Sequence, residues 1–224
     1  MSFPQVHLIC GTDTEAARLA PVALAMRAAG LLQPVLVTSD PAGLVPAAFE
    51  LTADLTVEAG PLTEMINRFD ELWSGHPPDA IVVPGSTVTS LAAALVAAWR
   101  HIPIVHLSPG PRTDEPDEAH GRLITQVAAV HLAPTSIAAM DLLDEGIAAR
   151  DILVTGDTAY DAALAIARRN LPSSQIAQAN PYGDGHAADR AAQATAALLG
   201  LAAQPDPMPI SELETPAATV PFGA

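Results

Sequence analysis

Short apolar runs alternate with longer Ala- and Leu-rich segments along residues 5–170 of this 224-residue chain. A strand covered on both faces reads as a short continuous apolar run, whereas a helix that covers a sheet shows apolar residues at helical spacing. Alternation of the two is typical of βαβ units, whose strands form a parallel sheet. We therefore predict an α/β fold, a single doubly wound domain whose mostly parallel sheet has about seven strands with helices on both faces.

The apolar pattern also places each element. Strands are expected at residues 6–10, 34–38, 55–57, 80–83, 104–107, 130–133 and 152–154. Helices are expected at residues 15–29, 44–49, 62–73, 89–100, 118–128, 136–145, 159–169 and 186–199. The predicted helix caps are Thr12, Thr135 and Thr158 at N-termini and Gly30 and Gly146 at C-termini. Thr12 precedes Glu15 by three residues and Thr158 precedes Asp161 by three, which is the spacing of a capping box.

The charge of the chain is strongly acidic. It has 25 Asp and Glu against 10 Lys and Arg, all of them Arg, and a formal net charge of −15 at pH 7. Such a field repels phosphate polymers and anionic lipid, so we predict neither nucleic acid nor membrane as a partner. A small anion bound at a helix N-terminus is still compatible with it. Because 50% of the residues are apolar and only 4% aromatic, the core must consist mainly of small aliphatic side chains.

The single cysteine, Cys10, lies in the first apolar run and cannot form an intramolecular disulfide. We expect it to be a small buried hydrophobe on a strand. The first residues lack the basic start and apolar core of a signal peptide, and no stretch reaches the roughly 18 uncharged apolar residues of a membrane span. The expected location is therefore the cytoplasm, where thiols stay reduced.

Four loops follow strands at the edge where doubly wound sheets bind ligands, at residues 11–15, 84–90, 106–113 and 155–158. Their hydroxyls and free N–H groups suit a phosphate or a sugar hydroxyl, but they also suit ordinary helix caps, and both interpretations stay open. The loops carry neither the three-glycine dinucleotide fingerprint nor a P-loop lysine, so no cofactor is predicted.

An acidic stretch, residues 114–120, follows the third loop. Arg112 lies just before it in a Pro- and Gly-rich segment that would fix its direction, which makes it a candidate anion clamp. The carboxylates of the stretch, with His106 and His120, could be imagined as a metal site. Their spacing fits no standard zinc template, and acidic residues are expected before a helix, so we predict no metal.

Taken together, the loop motifs are more specific than any one of them. The series is Gly11-Thr12-x-x-Glu15, Leu19-Ala20-Pro21, Gly85-x-Thr87-x-Thr89-x-Leu91-Ala92, His106-x-x-x-Gly110-x-Arg112-Thr113, Ala133-Pro134-Thr135 and Thr155-Gly156-Asp157-Thr158. In order and spacing it resembles the N-terminal half of the non-hydrolysing UDP-N-acetylglucosamine 2-epimerases. The hexapeptide of residues 180–185, with Ala187 and Arg190 after it, is similar to the C-terminal signature of that family. The resemblance covers residues 5 to about 200.

The resemblance implies half of a GT-B-like architecture. Family members have two Rossmann-like domains with UDP-sugar in the cleft between them, and their last helix crosses back onto the first domain. Here the second domain is missing between the two matching parts, while the returning helix is kept. The expected organisation is a Rossmann-like domain over residues 1–172, a returning helix over 173–200 packed on that domain, and a disordered Pro- and Ala-rich tail over 201–224.

The family chemistry implied is an isomerase reaction that interconverts UDP-N-acetylglucosamine and UDP-N-acetylmannosamine by elimination and re-addition of UDP. It serves cell-envelope polysaccharides. If the chain is active, the matching catalytic carboxylates are Asp117 and Glu118. The substrate-binding positions carried over from the motifs are Gly11, Thr12, Glu15, Arg18, Gly85, Ser86, Thr87, His106, Ser108 and Arg112.

Several positions in and around these motifs depart from the family pattern. The departures are Asp13 for Arg, Arg18 for Lys, Ser86 for a carboxylate, Ser108 for Glu, Asp117 for Glu and His120-Gly121 for Asn-Arg. Serine cannot act as a carboxylate base at neutral pH, and loss of one acid or base typically costs about a hundred- to ten-thousand-fold in rate.

The favoured hypothesis is therefore a degenerate, catalytically impaired family member, a pseudoenzyme that binds a nucleotide sugar or a partner protein. The alternative is an active or split UDP-N-acetylglucosamine 2-epimerase that completes its cleft with another chain. Both hypotheses allow a UDP-sugar ligand. Both also allow a homo-oligomer or a partner protein at the face that the missing domain would cover.

Overall fold

The computed structural model describes residues 3–39, 49–85, 87–109, 118–170 and 182–209. Within them seven strands form one parallel sheet in the order β3-β2-β1-β4-β5-β6-β7. The strands are β1 Gln5–Cys10, β2 Gln33–Thr38, β3 Leu55–Thr56, β4 Ala80–Pro84, β5 Ile104–Leu107, β6 Val130–Ala133 and β7 Ile152–Val154. Each neighbouring pair is parallel, which confirms the predicted α/β fold.

Helices cover both faces of this sheet. They are α1 Asp13–Ala29, α2 Leu62–Leu72, α3 Val88–Trp99, α4 Glu118–Val127, α5 Ser136–Asp144, α6 Thr158–Asn170 and α7 Ala187–Leu198. The predicted bounds of these helices are correct to within two residues. The additional helix predicted at 44–49 lies outside the described residues, apart from Phe49, which is in a turn.

The two faces have separate apolar cores because successive side chains of a strand point to opposite sides. On one face, α1, α6 and α7 pack together over residues such as Leu8 and Leu132. On the other, α2, α3 and α4 cover residues such as Ile9 and Ile104. Cys10 is buried at the end of β1, as predicted, and its Sγ lies 3.6 Å from a backbone carbonyl of β2.

Most of the predicted caps are present. The Thr12 hydroxyl accepts from Glu15 N at 3.3 Å, Thr135 accepts from Ala138 N at 3.2 Å, and Gly30 and Gly146 have φ of 64° and 85°. The cap predicted at Thr158 is wrong. Asp157 Oδ1 accepts from Ala159 N at 2.9 Å instead, because an Asp one position earlier reaches the same free N–H groups.

Helix α7 is the returning helix. It packs against α1 and α6 through an alanine-rich face that includes Ala188, Ala191 and Ala192. Small side chains permit this close approach. Residues 201–209 follow α7 without regular structure, and Met208 N donates to Val154 O at 2.7 Å, so this part of the predicted tail is fixed to the end of β7. The rest of the predicted tail, residues 210–224, lies outside the described residues.

Among the described residues, no helix is both long and apolar enough to cross a lipid bilayer.

Candidate functional site

All seven strands are parallel and end on the same side, so the described loops that follow them lie at one edge of the sheet. β1 lies between β2 and β4 in the sheet, and the chain continues from β1 to β2, on one side of it, before the later strands add on the other side. This is the topological switch point of the sheet, and the loops after β1 and β4 meet there. The predicted positions Ser86, Arg112 and Asp117 lie outside the described residues. Glu118 begins α4, and its side chain is also outside them.

Glu15 is the centre of the switch point. Its Oε2 accepts from Gly11 N at 2.7 Å and from the Thr87 hydroxyl at 3.1 Å, while the Ser90 hydroxyl lies 3.0 Å from its Oε1. Thr87 in turn caps α3 by accepting from Ser90 N at 3.1 Å. We call Gly11, Glu15, Thr87 and Ser90 the Glu15 network. It joins the loop after β1 to the first turn of α3.

Two glycines allow this junction to close. A Cβ on Gly11 would lie 2.7 Å from Thr89 Oγ1 and 3.0 Å from Thr87 Oγ1, which is closer than side-chain atoms approach. Gly85 has φ of 73°, and a Cβ there would lie 3.1 Å from Glu15 Oε1. The two glycine positions of the motif are thus explained by internal packing.

The carboxylate of Glu15 is only 4% exposed. Burial raises its pKa, and the hydrogen bonds from Gly11, Ser90 and Thr87 oppose that rise because they favour the charged form. The described donors around it already use both of its oxygens. Glu15 and Thr87 were predicted to contact substrate, but the structure places them in contact with each other.

Arg18 points away from the switch point. It lies one turn further along α1, and its Nε is 3.9 Å from Asp157 Oδ1, in the loop after β7. This is a long contact between partly exposed side chains, so it holds the guanidinium weakly. Arg18 is therefore placed near the β7 end of the sheet edge.

His106 faces the interior. Its side chain is 1% exposed beneath α4, with Nδ1 3.3 Å from Thr125 Oγ1, and its ring centroid lies 6.1 Å from that of His131 on the neighbouring strand. The alternation of side chains along β5 explains this orientation. The structure does not bring His106 together with the Glu15 network.

Ser108 occupies the first position after β5. It is 3% exposed, has φ of 50° and donates its N–H to Leu132 O at 2.9 Å. A positive φ on a residue other than glycine carries strain and is more frequent at functional positions. Its hydroxyl has no hydrogen-bond partner among the described residues, so a small polar group is held at the edge of the sheet.

The loop after β7 packs against the segment that precedes α7. Asp157 N donates to Tyr182 O at 2.8 Å, and Arg190 contacts both Asp184 oxygens, at 2.8 and 2.6 Å, and Thr155 O at 3.0 Å. We call these five residues the joint. Two of these hydrogen bonds join residues 155–158 to residues 182–190, so the two segments are held together directly.

Asp161 completes the joint from α6. Its Oδ2 accepts from Ala188 N at 2.7 Å, and so it caps α7, whose own N-cap residue His186 makes no side-chain cap. Burial raises the pKa of Asp161 to about 6, the bond from Ala188 lowers it, and the negative charges of Asp184 and Asp189 raise it further. This contact has no signal in the sequence, because residue spacing does not show a cap supplied by another helix.

No group of three or more His, Cys, Asp or Glu in the described part of the chain could hold a metal ion.

The profile of the UDP-N-acetylglucosamine 2-epimerase family matches residues 43–179, more than half of the chain. The chain belongs to the UDP-N-acetylglucosamine 2-epimerase family. A probable UDP-N-acetylglucosamine 2-epimerase of Ralstonia solanacearum is 30% identical over 182 residues, 74% of this chain and 48% of that protein. The UDP-N-acetylglucosamine 2-epimerase of Escherichia coli O157:H7 is 30% identical over 201 residues, 80% of this chain and 54% of that protein.

Solved structures of this family share the fold. The S. aureus MnaA–UDP co-structure superposes with a TM-score of 0.70 at 28% identity, over 76% of this chain and 50% of that one. The Neisseria meningitidis UDP-GlcNAc 2-epimerase bound to UDP-GlcNAc gives a TM-score of 0.70 at 27% identity, again over 76% and 50%. The chain spans about half the length of the relatives it matches, and its fold is one half of the GT-B architecture of these epimerases.

Membership of the epimerase family gives the joint a context. The two segments that form it, residues 155–158 and 182–190, are separated along the sequence by α6 and residues 171–181. The segments contact each other directly, since Arg190 donates to Thr155 O and to Asp184.

Proposed function

We propose that this family member binds a nucleotide sugar at the carboxyl edge of its sheet and does not catalyse 2-epimerisation as an isolated chain. The observation that carries the proposal is Ser108. The resemblance leads us to expect a glutamate there, at the end of β5, and the chain has instead a buried hydroxyl. A hydroxyl can hydrogen-bond a sugar but cannot remove a proton from carbon at neutral pH.

The neighbouring carboxylates support the same proposal. Both Glu15 oxygens lie within hydrogen-bonding distance of donors of the protein. Asp157 caps α6 and Asp161 caps α7. A carboxylate engaged in this way stabilises the fold and is poorly placed to exchange protons with a substrate.

Two relatives support nucleotide-sugar binding. This chain superposes on half of each of them, and their structures contain UDP or UDP-GlcNAc. The carboxyl edge of this chain still offers the N-terminus of α3 and the Ser108 hydroxyl. Arg18 is the described cation nearest to it along α1, and its contact with Asp157 is weak enough to be exchanged for a diphosphate.

A partner protein at the same edge is a second candidate, and exposed apolar side chains favour it. Val88 and Ile137 lie in the first turns of α3 and α5, after β4 and β6, and Tyr182 lies in the segment before α7. They are 37%, 67% and 59% exposed. Exposed apolar side chains that form a contiguous patch are typical of an interaction surface. A second chain seated there would cover the face that a second domain covers in the two-domain relatives.

The test of binding is the thermal unfolding midpoint of the purified chain in the presence of UDP, UDP-N-acetylglucosamine and GMP. A ligand that binds only the folded state raises the midpoint, by an amount that grows with its concentration. We expect a concentration-dependent rise with UDP-N-acetylglucosamine and a smaller one or none with GMP. An unchanged midpoint with every ligand would contradict nucleotide-sugar binding and leave the partner protein as the candidate.

A further inference from the structure

The Glu15 network connects two loops that are distant in sequence and adjacent at the switch point. Glu15 lies on α1, whereas Thr87 and Ser90 lie at the start of α3. One oxygen of its carboxylate contacts both loops, since Oε2 accepts from Gly11 N and from the Thr87 hydroxyl. A single side chain thus bridges the two loops.

A carboxylate suits this junction better than other side chains. It offers two oxygens and no donor, and the groups around it are a backbone N–H and two hydroxyls, all able to donate. A carboxamide has a single acceptor oxygen, so it could not accept on both sides, from Gly11 N and the Thr87 hydroxyl on one and from the Ser90 hydroxyl on the other. Asp would be shorter by one methylene and would fall short of α3.

We propose that Glu15 is a positioning residue, which holds the loops after β1 and β4 in the arrangement that receives the ligand without contacting the ligand itself. The inference rests on the proposed nucleotide-sugar binding and assigns to Glu15 a role different from substrate contact. Its side chain is buried and surrounded by protein donors. Loops fixed before binding lose less conformational entropy when the ligand arrives, which increases affinity.

The first test needs no ligand. In ¹⁵N-labelled protein, the Glu15→Gln and Glu15→Ala variants should shift the backbone amide resonances of Gly11 and Ser90 together and speed their hydrogen exchange about tenfold or more. The matched control is Glu71→Gln, at an exposed position of α2, and it should leave both resonances unchanged. A shift confined to Gly11 would overturn the proposal, because Glu15 would then hold only its own loop.

The second test separates positioning from stability. Met26→Ala creates a cavity at the far end of α1, where Met26 is fully buried, and it lowers the thermal midpoint without touching either loop. We expect Glu15→Ala to weaken UDP-N-acetylglucosamine binding about tenfold, Glu15→Gln to weaken it less, and Met26→Ala to leave it within about twofold. Equal losses in Glu15→Ala and Met26→Ala would overturn the proposal.

If the Glu15→Ala variant does not fold, Glu15→Gln takes its place in the same comparison. If the wild-type chain binds no UDP-N-acetylglucosamine, nucleotide-sugar binding is wrong. In that case the amide measurement alone decides whether Glu15 fixes both loops, with joint shifts of Gly11 and Ser90 supporting it and a single shift overturning it.

Discussion

Two buried carboxylates, Glu15 and Asp161, join different elements along the carboxyl edge of the sheet. They differ in how many hydrogen bonds they accept. Glu15 at the switch point has donors near both oxygens, and all of them are neutral groups. Asp161 at the joint accepts one bond, from Ala188 N, while its Oδ1 has no hydrogen-bond partner among the described residues. The first carboxylate joins two loops of the sheet, and the second attaches a helix that returns from later in the chain.

The protonation state of a buried acid depends on the hydrogen bonds that it accepts and on the charges around it. Burial raises the pKa of both groups, but several hydrogen bonds stabilise the charged form of Glu15, whereas Asp161 has one bond and two acidic neighbours, Asp184 and Asp189. Hydrogen bonds to the charged form compensate desolvation, and nearby like charges add to it. The switch point should therefore be the more rigid junction, and the joint the more sensitive to pH.

The largest expected effect comes from Glu15→Ala. It leaves the Gly11 N–H without its acceptor, removes the carboxylate from the Thr87 and Ser90 hydroxyls and opens a cavity, which together should lower the free energy of unfolding by about 3 kcal/mol. Chemical denaturation at pH 7 measures this change. The matched control is Glu64→Ala, whose exposed carboxylate pairs with Arg68 on the surface, and this change should lower the free energy of unfolding by less than about 0.5 kcal/mol. Equal losses at the two positions would contradict the role assigned to the Glu15 network.

Gly11→Ala should be the next most damaging change. The new Cβ would lie 2.7 Å from Thr89 Oγ1, so α3 must move away from the loop, at a cost of about 2 kcal/mol. Gly75→Ala is the control, because a Cβ there meets no atom within 4 Å and the backbone is not left-handed. The thermal midpoints of the two variants measure the difference. A Gly11→Ala protein as stable as wild type would show that the junction is loosely packed.

At the joint, Asp161→Asn should remove a pH dependence. In the folded protein the pKa of Asp161 is raised from 3.8 to about 6. The protonated side chain therefore stabilises the folded state, and this contribution is fully present below pH 3.8 and is lost as pH rises through about 6. Asparagine has no such linkage. The variant should therefore gain roughly 1–2 kcal/mol relative to wild type between pH 4 and pH 8, measured by urea unfolding across that range. A constant difference at all pH values would contradict the raised pKa.

Arg190→Gln should have the smallest effect of the set. It removes the paired bonds to Asp184 and the bond to Thr155 O, and because the pair is partly exposed the loss should be about 1 kcal/mol. Hydrogen exchange of the α7 amides measures whether the helix is released. Arg150→Gln, at an 85% exposed side chain, is the control, and a loss of equal size there would show that the joint contributes nothing specific.

The fold could be predicted from local patterns because each element carries its own signal. The strands are short apolar runs, and caps such as Thr12, Thr135 and Gly30 mark the ends of helices. The exception at Thr158 is informative, since Asp157 and Thr158 are adjacent candidates for one N-cap and spacing alone does not choose between them. Asp161, the partner expected from that spacing, caps a different helix.

The site was less predictable because motifs name residues and not the directions of side chains. Gly11, Glu15 and Thr87 do meet at the switch point, but they bond to one another. His106 turns beneath α4 because it lies within β5, where the alternation of side chains decides its face. Arg18 faces Asp157 because α1 turns it towards β7. These directions depend on tertiary packing, which a linear motif does not contain.

The most direct test of binding without turnover follows UDP-N-acetylglucosamine by proton NMR in the presence of an equimolar amount of the protein. Saturation transfer from the protein to the sugar and uridine protons reports binding, and new anomeric signals report UDP-N-acetylmannosamine or a released sugar. We predict transfer to the ligand with no new anomeric signal over many hours. Appearance of UDP-N-acetylmannosamine, or the absence of any transfer, would contradict the proposed function.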